Sequence, residues 1–204
     1  MLQTKEGVQH LLRFSHLKAL AAYYSITVGI IWVLQDYFVN TFAKDSGYTE
    51  IEQSWAFASF YLISGLIVLL VTRNEVKMPN KKLVFVTVPM LLVVALLPGY
   101  FASKLVVYFL ILAVNITSAI KGSLLDNYVN EEIDSKYRAT ALSSLNLAVS
   151  GVYILLLLGT SPIQDLYSNR LAWSLIGIVA LVALVPLTIK LIRSRPIAVL
   201  NENL

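Results

Sequence analysis

Polar side chains recur at helical spacing within apolar stretches of this chain. One set has successive members three or four residues apart, which places it on one face of a helix. Its members are Ser143, Asn146, Ser150 and Tyr153. A second set lies in the preceding apolar stretch and consists of Asn115, Thr117, Ser118 and Lys121. Lipid cannot satisfy such groups, so we expect each set to face either a water-filled cavity or a neighbouring helix.

Lys121 is the only basic residue well inside an apolar stretch. Counting from Leu105 puts it roughly 24 Å along the segment, near one membrane boundary. Its ammonium group would either extend to the lipid headgroups or line a cavity and bind a polar or anionic group of a substrate. Asp126 follows at i+5, which is well round an α-helix, so we predict that a partner must come from another helix.

Asp36 is the corresponding acidic residue and lies roughly 27 Å along the first apolar segment. A carboxyl group there would either bind protons coupled to transport or remain a solvated residue at the membrane rim. Nearby aromatic residues, Trp32 above all, are candidates for stacking on a flat substrate. Helix packing and the interfacial aromatic belt explain many such residues equally well.

Composition places the chain in the lipid bilayer. Its 204 residues are 57% hydrophobic and 14% charged, and the mean hydropathy is +0.72. Soluble domains carry about a quarter charged residues, so we predict an integral membrane protein. The net charge of +4 comes from basic residues that flank the apolar stretches. Membrane topology explains them without a nucleic-acid partner.

The residues required by most enzymes are missing from the apolar stretches. The chain has no cysteine, and His10 and His16 both precede the first apolar stretch. We therefore expect no metal site and no cofactor. The sequence also lacks an HExxH motif and a glycine-rich phosphate loop, so we expect no enzymatic activity and no nucleotide-driven transport.

Six segments are long and apolar enough to cross a membrane. They cover about 18–39, 54–72, 83–101, 105–126, 139–160 and 171–192. The third is the least regular, because Pro89 and Pro98 interrupt it. We predict an all-α membrane domain over 18–193. An interfacial segment at 1–17 precedes it, and a cytoplasmic tail at 194–204 follows it.

The basic residues also predict the orientation. Of the 16 lysines and arginines, only Lys44, Lys104 and Arg170 fall on the side opposite the termini, and Lys121 lies within a span. The others lie on the side that both termini share. The excess of positive charge marks the cytoplasmic side, so we expect both termini in the cytoplasm of a plasma-membrane protein.

Two short segments are similar to one another. Residues Leu34–Asn40 read LQDYFVN and close the first span, whereas Leu124–Asn130 read LLDNYVN and close the fourth. If spans one to three and four to six are repeats, the odd number of spans inverts the second copy in the membrane. Secondary carriers are often built from inverted repeats of this kind.

The link into the fifth span resembles the major facilitator superfamily, many members of which carry an arginine-alanine-threonine followed by leucine-serine at the corresponding point. Here those residues are Arg138, Ala139, Thr140, Leu142 and Ser143. The resemblance implies the C-terminal six-helix half of such a carrier, with two inverted three-helix repeats. It also implies that the fifth span lines a central cavity.

The chain departs from that family in two respects. Asp134 replaces the usual proline before the arginine, and we expect Asp134 or Ser135 to cap the fifth helix instead. We further expect Arg138 to pair with a neighbouring carboxylate. The six N-terminal helices of a complete carrier are missing, so we expect the chain to be a fragment, a split half that pairs with another chain, or one copy of a homodimer.

The sequence thus favours half of a secondary-active carrier, of the import or efflux kind, that moves a small organic solute by alternating access. The cavity candidates are Trp32, Asn115, Ser118, Lys121, Asn146, Ser150 and Tyr153, and the coupling candidate is Asp36. The alternative is a non-transporting membrane fragment or an assembly subunit that only docks to other helices.

The predicted orientation has a direct test with an epitope tag at each terminus. Because the positive charge concentrates on the termini side, both tags should be digested by protease only after the cytoplasmic face is opened. A matched cysteine at Lys104 should react with an impermeant thiol reagent from outside, since the parent chain has no cysteine. A tag digested in intact cells would contradict the orientation.

Overall fold

The computed structural model describes residues 11, 14–73 and 81–194, and all regular structure within these ranges is helical. Six helices are long and apolar enough to cross a membrane, which confirms the six predicted spans. They are α1 (Ser15–Asp45), α2 (Glu50–Arg73), α3 (Lys81–Leu96, extended by a 3₁₀ turn at Leu97–Phe101), α4 (Lys104–Glu132), α5 (Arg138–Leu166) and α6 (Asn169–Arg193). Of the predicted segments 1–17 and 194–204, the structure describes residues 11, 14–17 and 194.

Helices α1 and α4 are each interrupted by one π-helical turn, at Leu34–Phe38 in α1 and Lys121–Leu125 in α4. The two helices contain 31 and 29 residues. At 1.5 Å per residue each is more than about 40 Å long, whereas the hydrocarbon core is about 30 Å thick. Both helices must therefore tilt or project beyond the lipid.

The helices pack in a definite set of pairs. Helix α1 packs on α5 and α6, α4 packs on α2 and α3, and α3 packs along α6, which also contacts α5. The apolar stretch of α1 is 72% buried, against 17% for α2 and for α5. Helix α1 is therefore central to the bundle, and α2 and α5 lie at its periphery.

Polar contacts close the bundle at both ends. At one end, His16 Nδ1 of α1 and the Ser194 hydroxyl that follows α6 are 2.7 Å apart. At the other end, the Asn169 amide donates to Asp45 at 2.6 Å, and Arg170 donates to the Ala102 carbonyl at 3.0 Å. Helix α6 therefore runs antiparallel to both α1 and α3, and the first and last helices meet at both ends.

A side chain of α6 donates a hydrogen bond that the backbone of α3 lacks at Pro89. Pro89 has no amide hydrogen, which leaves the Phe85 carbonyl without its usual helical donor. The Thr188 hydroxyl of α6 donates to that carbonyl at 3.1 Å. The helix continues through Pro89 to Leu96. An unmet carbonyl is costly in lipid, so this contact explains how a proline is tolerated inside α3.

A second set of α6 contacts meets the end of α3, where Pro98 ends the helix in a 3₁₀ turn. The Trp173 indole donates to the Ala95 carbonyl at 3.0 Å. The Ser174 hydroxyl donates to the Leu97 carbonyl at 3.2 Å and accepts from the Tyr100 amide at 2.9 Å. One turn along α6, a Cβ on Gly177 would lie 2.8 Å from the Leu96 Cβ and 3.0 Å from the Leu97 nitrogen. This crossing requires glycine.

Replacing Thr188 by valine should destabilise the protein by about 1–2 kcal/mol, because the Phe85 carbonyl then loses its donor without a change in shape. In a Pro89→Ala background the restored amide hydrogen can bond that carbonyl, so the same Thr188→Val change should cost much less. Unfolding of the four proteins in detergent measures both costs. If Thr188→Val lowers the free energy of unfolding equally in both backgrounds, Thr188 acts only by packing.

Candidate functional site

A polar cavity of about 130 Å³ lies where α1, α2 and α4 meet. It is lined by Gln35, Val39, Asn40, Phe57, Tyr61 and Asn115. Asn115 is the one predicted cavity residue among them. Gln35 belongs to the π turn of α1, a type of distortion that is frequent at functional sites.

Hydrogen bonds orient two of the cavity amides. The Ser118 hydroxyl donates to the Gln35 amide oxygen at 3.2 Å, which turns the Gln35 NH₂ group toward other partners. The Asn115 NH₂ group donates to the Ile111 carbonyl of its own helix at 3.0 Å, which leaves the Asn115 oxygen as an acceptor. Ser118 therefore supports the cavity from its edge, through Gln35.

Lys121 contacts Asp126, although the i, i+5 spacing of the two residues predicted that they would not meet. Its ammonium group lies 3.0 Å from the Asp126 carboxylate, so the prediction of a partner on another helix is wrong. The reason is the π turn at Lys121–Leu125, in which residues five apart share a face. The ammonium also lies 5.7 Å from the centre of the Tyr24 ring of α1.

The position of Lys121 along its helix follows from the length of α4, and its depth in the membrane stays a prediction. Helix α4 continues to Glu132, so Lys121 lies about 4–5 Å past the midpoint of the helix. Its side chain is 16% exposed and its partner Asp126 is 31% exposed. The lysine is thus held in a largely buried ion pair that carries no net charge, and it is not among the residues that line the cavity.

Asp36 and Trp32 lie on the exposed side of α1. Asp36 is exposed within the π turn, next to Gln35, and Trp32 is 37% exposed one turn earlier. Neither residue lines the described cavity. Their assignment as coupling and stacking residues stays a prediction.

The polar stripe of α5 does not reach the cavity, because α5 packs on α1 and α6. Ser143 and Asn146 are exposed, and Ser150 and Tyr153 are half-buried. The Ser150 hydroxyl donates to the Asn146 carbonyl of its own helix at 3.0 Å. The stripe therefore presents polar groups on the outside of the six-helix bundle, where a second half would have to cover them.

The N-terminus of α5 is not capped by the predicted residues. Tyr137, rather than Asp134 or Ser135, is the N-cap, and its side chain does not cap the helix. Asp134 instead accepts from the Lys136 amide at 2.9 Å. Arg138 donates to the Ile133 carbonyl at 3.4 Å, and no ion pair of Arg138 occurs among the described contacts. Ala139, Thr140 and Ser143 follow in the first turns of α5.

A buried cluster of polar residues was not predicted from the sequence. Glu132, at the end of α4, accepts from the Tyr128 hydroxyl at 2.9 Å, and its second oxygen lies 3.4 Å from His16 Nε2. The His16 and Glu132 side chains are 6% and 2% exposed. His16 also contacts Ser194, so the cluster joins the ends of α1, α4 and α6. The i, i+4 spacing of Tyr128 and Glu132 was the only sequence signal for it.

The opposite end of the bundle is held by contacts to Lys104. Its ammonium lies 2.7 Å from the Glu52 carboxylate of α2, and its carbonyl accepts from the Tyr48 hydroxyl at 2.8 Å. Desolvation raises the pKa of the Tyr48 phenol. These contacts tie the α1–α2 link to the start of α4.

The arrangement can bind and orient a small polar molecule, and the described residues include no cluster of histidine and carboxylate side chains suited to a metal ion. Comparison with protein-family models, with curated proteins and with solved structures found no match to this chain. Its function must therefore be inferred from the geometry.

The π turn of α4 predicts an unusual tolerance to deletion. Such a turn holds one residue more than an α-helical turn, so deleting Gly122 should leave a regular helix with its register intact. Lys121 and the aspartate would then be four residues apart and still on one face. Deleting Ala113 from the regular part of α4 should rotate everything beyond it by about 100°.

Thermal unfolding and the yield of folded protein measure the difference. We expect the Gly122 deletion to unfold within a few degrees of the parent protein, and the Ala113 deletion to lose most of its folded yield. Equal losses in both deletions would mean that the π turn does not act as a one-residue insertion.

Proposed function

We propose that this chain is one half of a secondary-active carrier of the major facilitator type, built from two inverted three-helix repeats. It moves a small organic solute across the plasma membrane by alternating access. A second six-helix half, from another chain or from a second copy, completes the transport path.

The pattern of helix contacts is the observation that carries this proposal. Suppose that α1, α2 and α3 are exchanged for α4, α5 and α6, respectively. The α1–α5 contact then becomes the α4–α2 contact, and the α1–α6 contact becomes the α4–α3 contact. Both of these counterparts also occur. The α3–α6 contact is converted into itself. Only α5–α6 lacks an equally extensive counterpart among the described residues. Three helices per repeat invert the second copy, as in many secondary carriers.

The position of the cavity supports the same proposal. Helices α1 and α2 of one triplet and α4 of the other line it, so it lies where the two triplets meet. Substrate sites of secondary carriers lie at such repeat junctions. The two π turns occur in α1 and α4, which are equivalent under the exchange. The first lies inside one copy of the repeated segment, and the second overlaps the start of the other copy. Such turns are sites where a helix bends.

Alternating access also requires a water-filled path beside the polar stripe of α5. Ser143 and Asn146 of the stripe are exposed in the six-helix bundle. Leu155 lies about 180° round α5 from Asn146, on the opposite face, and is 71% exposed. We assign the stripe to the central path between two halves and Leu155 to lipid.

A labelling experiment tests this assignment in the assembled protein, and the lack of native cysteine makes each label specific. A cysteine at Asn146 should react with a water-soluble thiol reagent in membranes at least tenfold faster than a cysteine at Leu155. A cysteine at Asn115 should also react and should be protected by a transported solute. If Asn146→Cys is as unreactive as Leu155→Cys, the stripe faces lipid or packed protein and the non-transporting alternative replaces the carrier.

A further inference from the structure

The side chains that line the cavity between α1, α2 and α4 are polar or apolar but carry no formal charge. The polar lining consists of the amides of Gln35, Asn40 and Asn115 and the phenol of Tyr61, with the Phe57 ring and Val39 beside them. No lysine, arginine, aspartate or glutamate is among these lining residues. The site therefore offers hydrogen bonds without a formal charge.

We propose that this cavity selects small uncharged solutes rich in hydroxyl or amide groups and excludes carboxylates and amines. The inference rests on the proposed carrier function and specifies the solute class that the carrier takes.

The hydrogen bonds around the cavity define a donor and an acceptor. Ser118 occupies the Gln35 oxygen, so Gln35 offers its NH₂ group. The Ile111 carbonyl accepts from one N–H of the Asn115 amide, so Asn115 offers its oxygen and its second N–H. A hydroxyl group donates and accepts at once, and an amide has one group of each kind, so both exchange their bonds to water for bonds to this pair.

Charges near the cavity are already compensated or lie outside it. Lys121 is paired with Asp126 at 3.0 Å and is not among the lining residues. Asp36 is exposed and does not belong to the lining. A carboxylate or ammonium entering the cavity would lose part of its hydration without gaining a counter-charge, so binding of a charged solute is disfavoured.

The volume limits the size of the solute. The cavity measures about 130 Å³, whereas sites for drug-sized ligands measure about 300–1,000 Å³. Tyr61 is 72% exposed, so the cavity is open on the α2 side. The Phe57 ring and Val39 can contact the C–H face of a short polyol while the amides bind its hydroxyl groups. Polyols and amides of about four carbons fit this description.

Uptake into liposomes tests the inference with matched solutes. The full chain, with any six-helix partner that co-purifies, is reconstituted, and uptake of erythritol is compared with uptake of erythronate. Protein-free liposomes give the background. We expect erythritol to enter at least tenfold faster than erythronate, and Asn115→Leu to lower erythritol uptake at least fivefold. The control is Asn127→Leu, an exposed residue of the same helix whose amide bonds the Ser123 carbonyl; it should leave uptake unchanged.

The possible results separate this inference from the proposed function. If erythronate enters as fast as erythritol and Asn115→Leu abolishes its uptake, the carrier stands and the selectivity for uncharged solutes is wrong. If erythritol uptake is insensitive to Asn115→Leu, the cavity is not the binding site. If neither solute enters faster than in protein-free liposomes, and the same holds for a panel of small amides and amines, both the inference and the carrier function are overturned.

Discussion

Every backbone N–H and C=O group inside a bilayer needs a partner within the protein, and this requirement governs how the six helices pack. Helix α3 breaks its own hydrogen bonding at Pro89 and Pro98. Thr188, Trp173 and Ser174 of α6 supply the missing contacts. Helix α6 thereby completes the hydrogen bonding of the irregular helix α3.

The α3–α6 contact has a particular place in the fold. Under the proposed exchange of the two triplets, the α3–α6 contact and the α1–α4 contact are the ones converted into themselves. Helix α6 approaches the end of α3 closely at Gly177, and Trp173 of α6 stacks on Phe42 of α1 with ring centres 4.3 Å apart. The π turns lie on α1 and α4, and the polar cavity lies where these two helices meet α2.

The sequence predicted the six helices well, because each one needs a long apolar stretch and such stretches are unmistakable in a chain with mean hydropathy +0.72. It placed Asn115 among the cavity candidates without deciding between a cavity and a contact with a neighbouring helix, and Asn115 is among the residues that line the described cavity. It also predicted that Lys121 would avoid Asp126, which is wrong because the rule of i, i+4 neighbours holds only for regular α-helix. The helical spacing of polar and apolar residues does not indicate where a π turn occurs.

Contacts between distant segments were the other limit. His16 and Glu132 are 116 positions apart, and only the packing of α1 against the end of α4 shows that they meet. Likewise, helical periodicity placed Ser143 and Asn146 on one face of α5 without saying what covers that face. In the six-helix bundle this face is exposed, although polar groups on a membrane helix require a partner. The account depends on that partner being a second half.

The mass of the purified protein in mild detergent tests this dependence most directly, by light scattering corrected for bound detergent. One chain has a mass of 22.7 kDa. The account predicts a particle with two six-helix halves, either a dimer of this chain or this chain with a second six-span protein. A particle of 22.7 kDa, together with no cross-linked partner in native membranes, would leave the path with one wall and contradict transport by this protein.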